Sequence, residues 1–129
     1  MKNIAIRENH LYKKTYQSGV KAAGKHTVIY VLKDKKAYLL KKQNPQKEYV
    51  NRIGLTVSKK LGGAVQRNRA KRVIRAALAE YQKRFELKKG YLVVIIAREA
   101  ATEVKSTEVF EEMKKQFERL NMTLSEKAE

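Results

Sequence analysis

Cysteine is absent from the chain, which excludes a disulfide scaffold and a thiolate zinc site. Long apolar runs are absent too. The longest, Tyr91 to Ala97, is far short of the roughly 20 residues that a membrane-spanning helix needs. Met1-Lys2-Asn3-Ile4 lacks the apolar core of a signal peptide. These absences lead to the expectation of a soluble cytoplasmic protein with no membrane partner. Acidic side chains are scarce over most of the chain. Residues 1–98 hold 25 basic and 5 acidic side chains, a net of +20, and residues 99–129 a net of −3. Between Glu48 and Glu80 there is no acid, but there are eight bases: Arg52, Lys59, Lys60, Arg67, Arg69, Lys71, Arg72 and Arg75. A solvated helix interleaves both signs, so a one-sign stretch of this length calls for an anionic partner.

What is present fits one small domain. The 129 residues are 43% hydrophobic, enough for a modest core and too many for a disordered tail. The formal net charge is +17. A compact body with that excess repels itself unless a polyanion neutralises it. Nucleic acid is the first candidate and an anionic membrane surface the second. The domain is expected to span residues 1–129, with its core over about 5–120 and residues 121–129 frayed.

Asn9 can cap a helix reaching Ser18, with Gly19 as its stop. Thr27 to Leu32 and Arg52 to Ser58 have the β-branched and apolar content of strands. Ala37 to Leu40 reads as a short strand or the far side of a hairpin, and Lys41 to Glu48, with Asn44-Pro45, as a loop. Gly62-Gly63 breaks the chain before the strongest helix, Ala64 to Arg84. At about 100° per residue, Ala70, Val73, Ile74, Ala77 and Tyr81 fall on one face and Asn68, Lys71, Arg72 and Arg75 on the opposite one. Tyr91 to Ala97 is nearly all apolar, which indicates burial on both faces or a central position. Ser106 to Leu120 carries an apolar stripe of Val109, Phe110, Met113, Phe117 and Leu120. The expected fold class is α+β, a small mixed sheet packed with helices in the order α-β-β-(β)-α-β-α.

No catalytic constellation emerges. Gly19 to His26 nearly spells a phosphate-binding loop, but His26 stands where Ser or Thr should hold magnesium. The strand and helix also come in the wrong order, so the glycines read as a helix stop and a turn. His10 and His26 lack partners at metal-ligand spacing. Glu108, Glu111 and Glu112 read as the wet face of an amphipathic helix. The expectation is therefore no catalytic residue and no protein-held metal.

Two constellations suit nucleic acid. In the basic helix Arg67, Arg69, Arg72 and Arg75 offer planar forks that grip phosphate in pairs of hydrogen bonds. Lys71 adds a point charge, as do Lys59 and Lys60 before the helix. Asn68 can reach a base edge or a ribose hydroxyl. The second set is aromatic: Tyr12 and Tyr16 lie four apart on one helical face, and Tyr30 lies in the first strand. Sequence leaves two readings of it equally open, core packing or a platform on which unpaired bases stack.

The segment from Gly54 to Arg75, Gly-Leu-Thr-Val-Ser-Lys-Lys-Leu-Gly-Gly-Ala-Val-Gln-Arg-Asn-Arg-Ala-Lys-Arg-Val-Ile-Arg, closely resembles the signature of the bacterial ribonuclease P protein subunit. Asn9, Tyr12, Tyr16 and Gly19 resemble the family's first helix, and Tyr91 to Arg98 its last strand. The likeness covers residues 5 to 120. It departs from the family pattern in having Tyr at 12 and 16 where Phe is frequent, in Gly63, and in a longer Lys33–Asn51 connection. The resemblance implies an endoribonuclease holoenzyme in which an RNA subunit, using Mg2+ held mainly by that RNA, hydrolyses precursor tRNA. It implies that the protein binds the catalytic RNA through Arg67, Asn68, Arg69, Lys71, Arg72 and Arg75, helped by Lys59 and Lys60. The single-stranded 5′ leader would lie in a cleft with Tyr12, Tyr16 and Tyr30. It also implies a left-handed crossover from the Arg52 strand through the long helix to the Tyr91 strand, against the right-handed form found about 98% of the time. No obligate protein partner follows from it. The residues leave three other classes: a ribosomal or translation-associated RNA scaffold, which needs no open aromatic cleft; a DNA-binding helix, which lacks the short paired helices of a helix-turn-helix; and an independent metal-dependent nuclease.

Overall fold

A computed structural model describes residues 4–6, 9–35 and 51–126. The elements run β1 (Ile4–Ala5), α1 (Asn9–Ser18), β2 (Val20–Ala23), β3 (Thr27–Lys33), β4 (Arg52–Thr56), α2 (Ala64–Arg84), β5 (Phe85–Leu87), β6 (Tyr91–Ala97), α3 (Ser106–Arg119) and β7 (Thr123–Glu126). Short 3-10 turns at Lys59–Leu61 and Glu99–Thr102 precede α2 and α3. This is a mixed α+β fold. The possible strand at 37–40 and the loop at 41–48 lie outside the described residues.

Five strands form one sheet in the order β1-β4-β6-β3-β2. The apolar strand β6 is central, parallel to β4 and antiparallel to β3. Because successive side chains point to opposite faces, an all-apolar strand must be covered on both. Leu92 and Val94 pack under α1 with Ile6 and Leu11. Val93 and Ile95 join the larger core with Ile74, Ala77 and Tyr81 of α2 and Val109, Met113 and Phe117 of α3. The molecule is thus three layers: α1, the sheet, and the α2–α3 pair.

Local chemistry sets the boundaries. α1 stops at Gly19, whose N–H donates to the Thr15 carbonyl at 2.9 Å. A Cβ there would sit 2.8 Å from the Val31 carbonyl oxygen, so the close approach of backbone to sheet requires glycine. The buried residues of α2, Ala70, Ile74, Ala77 and Tyr81, follow the helical period.

The structure changes three expectations. Thr123–Glu126 does not fray; it pairs antiparallel with Phe85–Leu87. Tyr81, fully buried, shares a 2.7 Å hydroxyl hydrogen bond with Thr123 that fastens this ribbon. Arg52 is not a free base. Its guanidinium donates twice to Asp34, at 2.6 and 2.9 Å, and Asp34 is only 3% exposed. Glu112 does not lie on a wet face. Its carboxylate accepts the backbone N–H groups of Lys25, of His26 at 3.0 Å and of Thr27 at 3.2 Å. The turn that resembled a phosphate loop therefore does wrap an anion, but the anion is the chain's own side chain. Gln116, one helical turn on, donates to the carbonyls of Ala22 and Thr27 and completes the clamp.

Candidate nucleic-acid interface

The face of the sheet under α1 carries the tyrosines. Strand register places Lys21, Tyr30, Val94 and Gly54 in one row across four strands, and Ala23, Val28, Ile96 and Thr56 in the next row on the same face. α1 covers the first row only in part, and Val28, Ile96 and Thr56 remain half-exposed beyond it. Tyr16 is 36% exposed at this opening. It meets Tyr30 edge-on, centroids 5.2 Å apart, and its hydroxyl lies 3.3 Å from Thr56 Oγ1. Tyr12, 6.5 Å from Tyr16 between centroids, is half-buried. Burial, and secondarily Tyr16, pushes its phenol above the ordinary value of 10.0.

The three tyrosines therefore come together as one wall of a groove whose floor is Val28, Ile96 and Thr56. Lys21, exposed and directly opposite Tyr30, puts a cation at its edge. Sequence reasoning passed over Lys21, Thr56 and Gly54 because only the pairing register brings them beside the tyrosines. A separate cavity of about 310 Å³ behind Tyr12 is walled by Ile6, Ile53, Leu55 and Leu78 and reaches Arg75 of α2.

On α2, Asn68, Arg69, Arg72 and Arg75 are exposed, as are Lys59 and Lys60 before it; Arg67 and Lys71 are half-buried. Arg69 Nε donates to the Thr102 carbonyl at 2.8 Å, which steadies that guanidinium. Arg67 Nε is buried without a partner, a donor left unmet beside a basic surface. Among the described residues no three His, Asp or Glu side chains gather as a ligand set for a metal. No described helix is long and apolar enough to cross a membrane.

Fold and surface define a class, the small basic RNA-binding proteins of α+β architecture. The family model described as Ribonuclease P matches residues 1–121, and the chain belongs to that family. It is 38% identical over 108 residues to the ribonuclease P protein component of Geobacillus kaustophilus, covering 84% of this chain and 78% of that one. The Bacillus pumilus component is 35% identical over 119 residues, covering 92% and 86%. The fold matches the solved RNase P protein of Staphylococcus aureus with a TM-score of 0.72 at 24% identity, covering 95% and 100%. The Thermotoga maritima protein matches with a TM-score of 0.62 at 21% identity, covering 89% and 94%. The chain is thus a subunit of a ribonucleoprotein endoribonuclease of tRNA processing, and RNA is its partner.

Proposed function

We propose that this subunit binds the catalytic RNA through the basic face of α2 and holds the single-stranded 5′ leader of precursor tRNA in the tyrosine groove. The observation that carries the reading is the open groove: Tyr16 stands exposed against Tyr30, over a floor that α1 leaves uncovered. A scaffold for folded RNA needs no such opening. Base–aromatic stacking tolerates any sequence, because every base has a π-face, which suits leaders that differ between tRNAs. Lys21 at the groove edge can neutralise the leader's phosphates. Arg67, Asn68, Arg69, Lys71, Arg72 and Arg75, with Lys59 and Lys60, form a separate surface for the RNA subunit.

On this reading the protein contributes no hydrolytic group. Mg2+ held mainly by the RNA would supply the activated water and the charge stabilisation of the leaving oxygen. The protein's positive charge lowers repulsion between two polyanions, so that the metal acts at lower bulk concentration. This assembly works in the cytoplasm. The test reconstitutes the protein with its RNA subunit and compares binding of leader-bearing precursor and mature tRNA, then cleavage at low magnesium. Preference for the precursor and rescue of low-magnesium cleavage are expected. Equal affinity for both tRNAs would reject the leader assignment.

A further inference from the structure

We infer that Gly54 is a positioning residue for the tyrosine groove: its missing side chain is the seat in which the Tyr12 ring lies. The inference rests on the single-strand groove proposed above and adds a residue to it. Glycine is an odd choice at this position. Gly54 is buried within β4 and pairs with Val94 of the central strand, and glycine weakens a strand interior. Its backbone does not require it, since the positive φ angles of described glycines are at Gly62 and Gly90. What requires it is space. A Cβ on Gly54 would stand 2.7 Å from both Cε1 and Cζ of Tyr12, and closer still to the hydroxyl oxygen. These are atoms at the far end of a side chain, so the ring, rather than the strand, would yield.

The seat decides how the tyrosines are shared out. With its ring down on Gly54, Tyr12 reaches the residue that follows β1, where its hydroxyl lies 3.5 Å from the Ile6 carbonyl. That leaves Tyr16, one turn later, as the exposed member of the wall. A methyl group at position 54 lifts Tyr12 from the sheet, breaks its reach to Ile6 and disturbs the ring 6.5 Å away that the leader would meet.

The test is a double-mutant cycle in the reconstituted holoenzyme with Gly54→Ala, Tyr12→Ala and both together. The readout is the ratio of affinities for leader-bearing precursor and mature tRNA. Gly54→Ala should lower the ratio about fivefold or more, the loss of at least one stacking contact. It should have no further effect once Tyr12 is alanine. In the free protein, NMR should show the Tyr12 ring resonances moving while those of Tyr81 stay. An unchanged ratio with Gly54→Ala beside a lowered one with Tyr12→Ala overturns the inference, as does an equal loss from Gly54→Ala in both backgrounds. If Tyr12→Ala itself leaves the ratio unchanged, the groove reading fails, and the Tyr12 resonances alone decide whether Gly54 seats the ring. If Gly54→Ala does not fold, the double variant should, because the clashing ring is gone; a double variant that also fails to fold overturns the inference.

Discussion

Tyrosine serves two opposite ends in this molecule, and solvent access separates them. Tyr16 keeps a third of its surface in water at the groove mouth. Replacing it with alanine should weaken binding of leader-bearing precursor by about 1–3 kcal/mol, one stacked base, and leave mature tRNA unaffected. Titration of both tRNAs checks this. Tyr81 is fully buried between Phe85 and Phe117. Burial raises its pKa above 10.0; its hydrogen bond with Thr123 offsets part of the rise, and Glu118 adds to it. The folded state then holds the phenolic proton more tightly than the unfolded chain. The stability this gives is complete below about pH 10, the unfolded value. It is lost as pH rises through the folded value, because the unfolded chain ionises first. Denaturation midpoints measured against pH should show a decline above pH 10 that is shallower in Tyr81→Phe. At neutral pH that variant should lose about 1 kcal/mol with the Thr123 bond.

Helices and turns here divide their charges between holding the fold and facing a partner. Arg52 and the α2 bases belong to the same acid-free stretch of sequence, yet Arg52 closes on Asp34 where β3 ends and β4 begins. Arg52→Ala strands a buried carboxylate and should cost about 3 kcal/mol or more of stability, with little change in the salt dependence of RNA binding. Arg72→Ala or Arg75→Ala should do the reverse. Stability should hold, and each lost phosphate contact should flatten the slope of log affinity against log salt by about 0.7–0.9. Denaturant melts and binding at several salt concentrations separate the two classes. In α3 the division runs within one turn. Glu112→Gln weakens the clamp on residues 25–27 and should cost about 2 kcal/mol, a charge-assisted interaction. Glu108→Gln and Glu111→Gln, on exposed positions, should shift stability by less than about 0.5 kcal/mol.

Across the whole molecule the excess of base is gathered before residue 99 and the excess of acid after it. α3 packs its apolar stripe on the same core as α2, so the acidic segment is an integral layer of the fold and not a detachable tail. The pair of Lys114 with Glu111, at 3.9 Å, stays within the helix. The ion pair of α2, Arg84 with Glu80, lies in its last turns, and among the described residues no carboxylate pairs with the exposed Arg69, Arg72 or Arg75. Their field therefore faces outward, where it can draw in a polyanion. If RNA supplies the chemistry, Glu108→Gln with Glu111→Gln should leave the single-turnover cleavage rate of the reconstituted enzyme within about twofold, given that surface changes of this kind are small. A fall of several orders of magnitude with RNA binding intact would place a catalytic group on the protein. Glu112 is kept out of this test because its loss would confound folding with chemistry.

Periodicity and composition were enough to determine the long helix from Ala64 to Arg84, the central strand from Tyr91 to Ala97, the basic face and the RNA-binding class. Each depends on side chains adjacent in sequence, and a helix or a strand places its own neighbours by fixed geometry. The motif from Gly54 to Arg75 was enough for the family. Tertiary structure alone decided the rest. Tyr30 meets Tyr16 only because β3 pairs beside β6 under α1. Gly54 meets Tyr12 only through the register of β4. Glu112 and Arg52 change from surface charges to structural ones because their partners are 85 and 18 residues away along the chain. The short ribbon of β5 and β7 forms for the same reason: three or four residues carry too weak a pattern by themselves, and Tyr81 joins them from a third element. Contacts between distant segments are set by how the layers pack, and no local pattern encodes them.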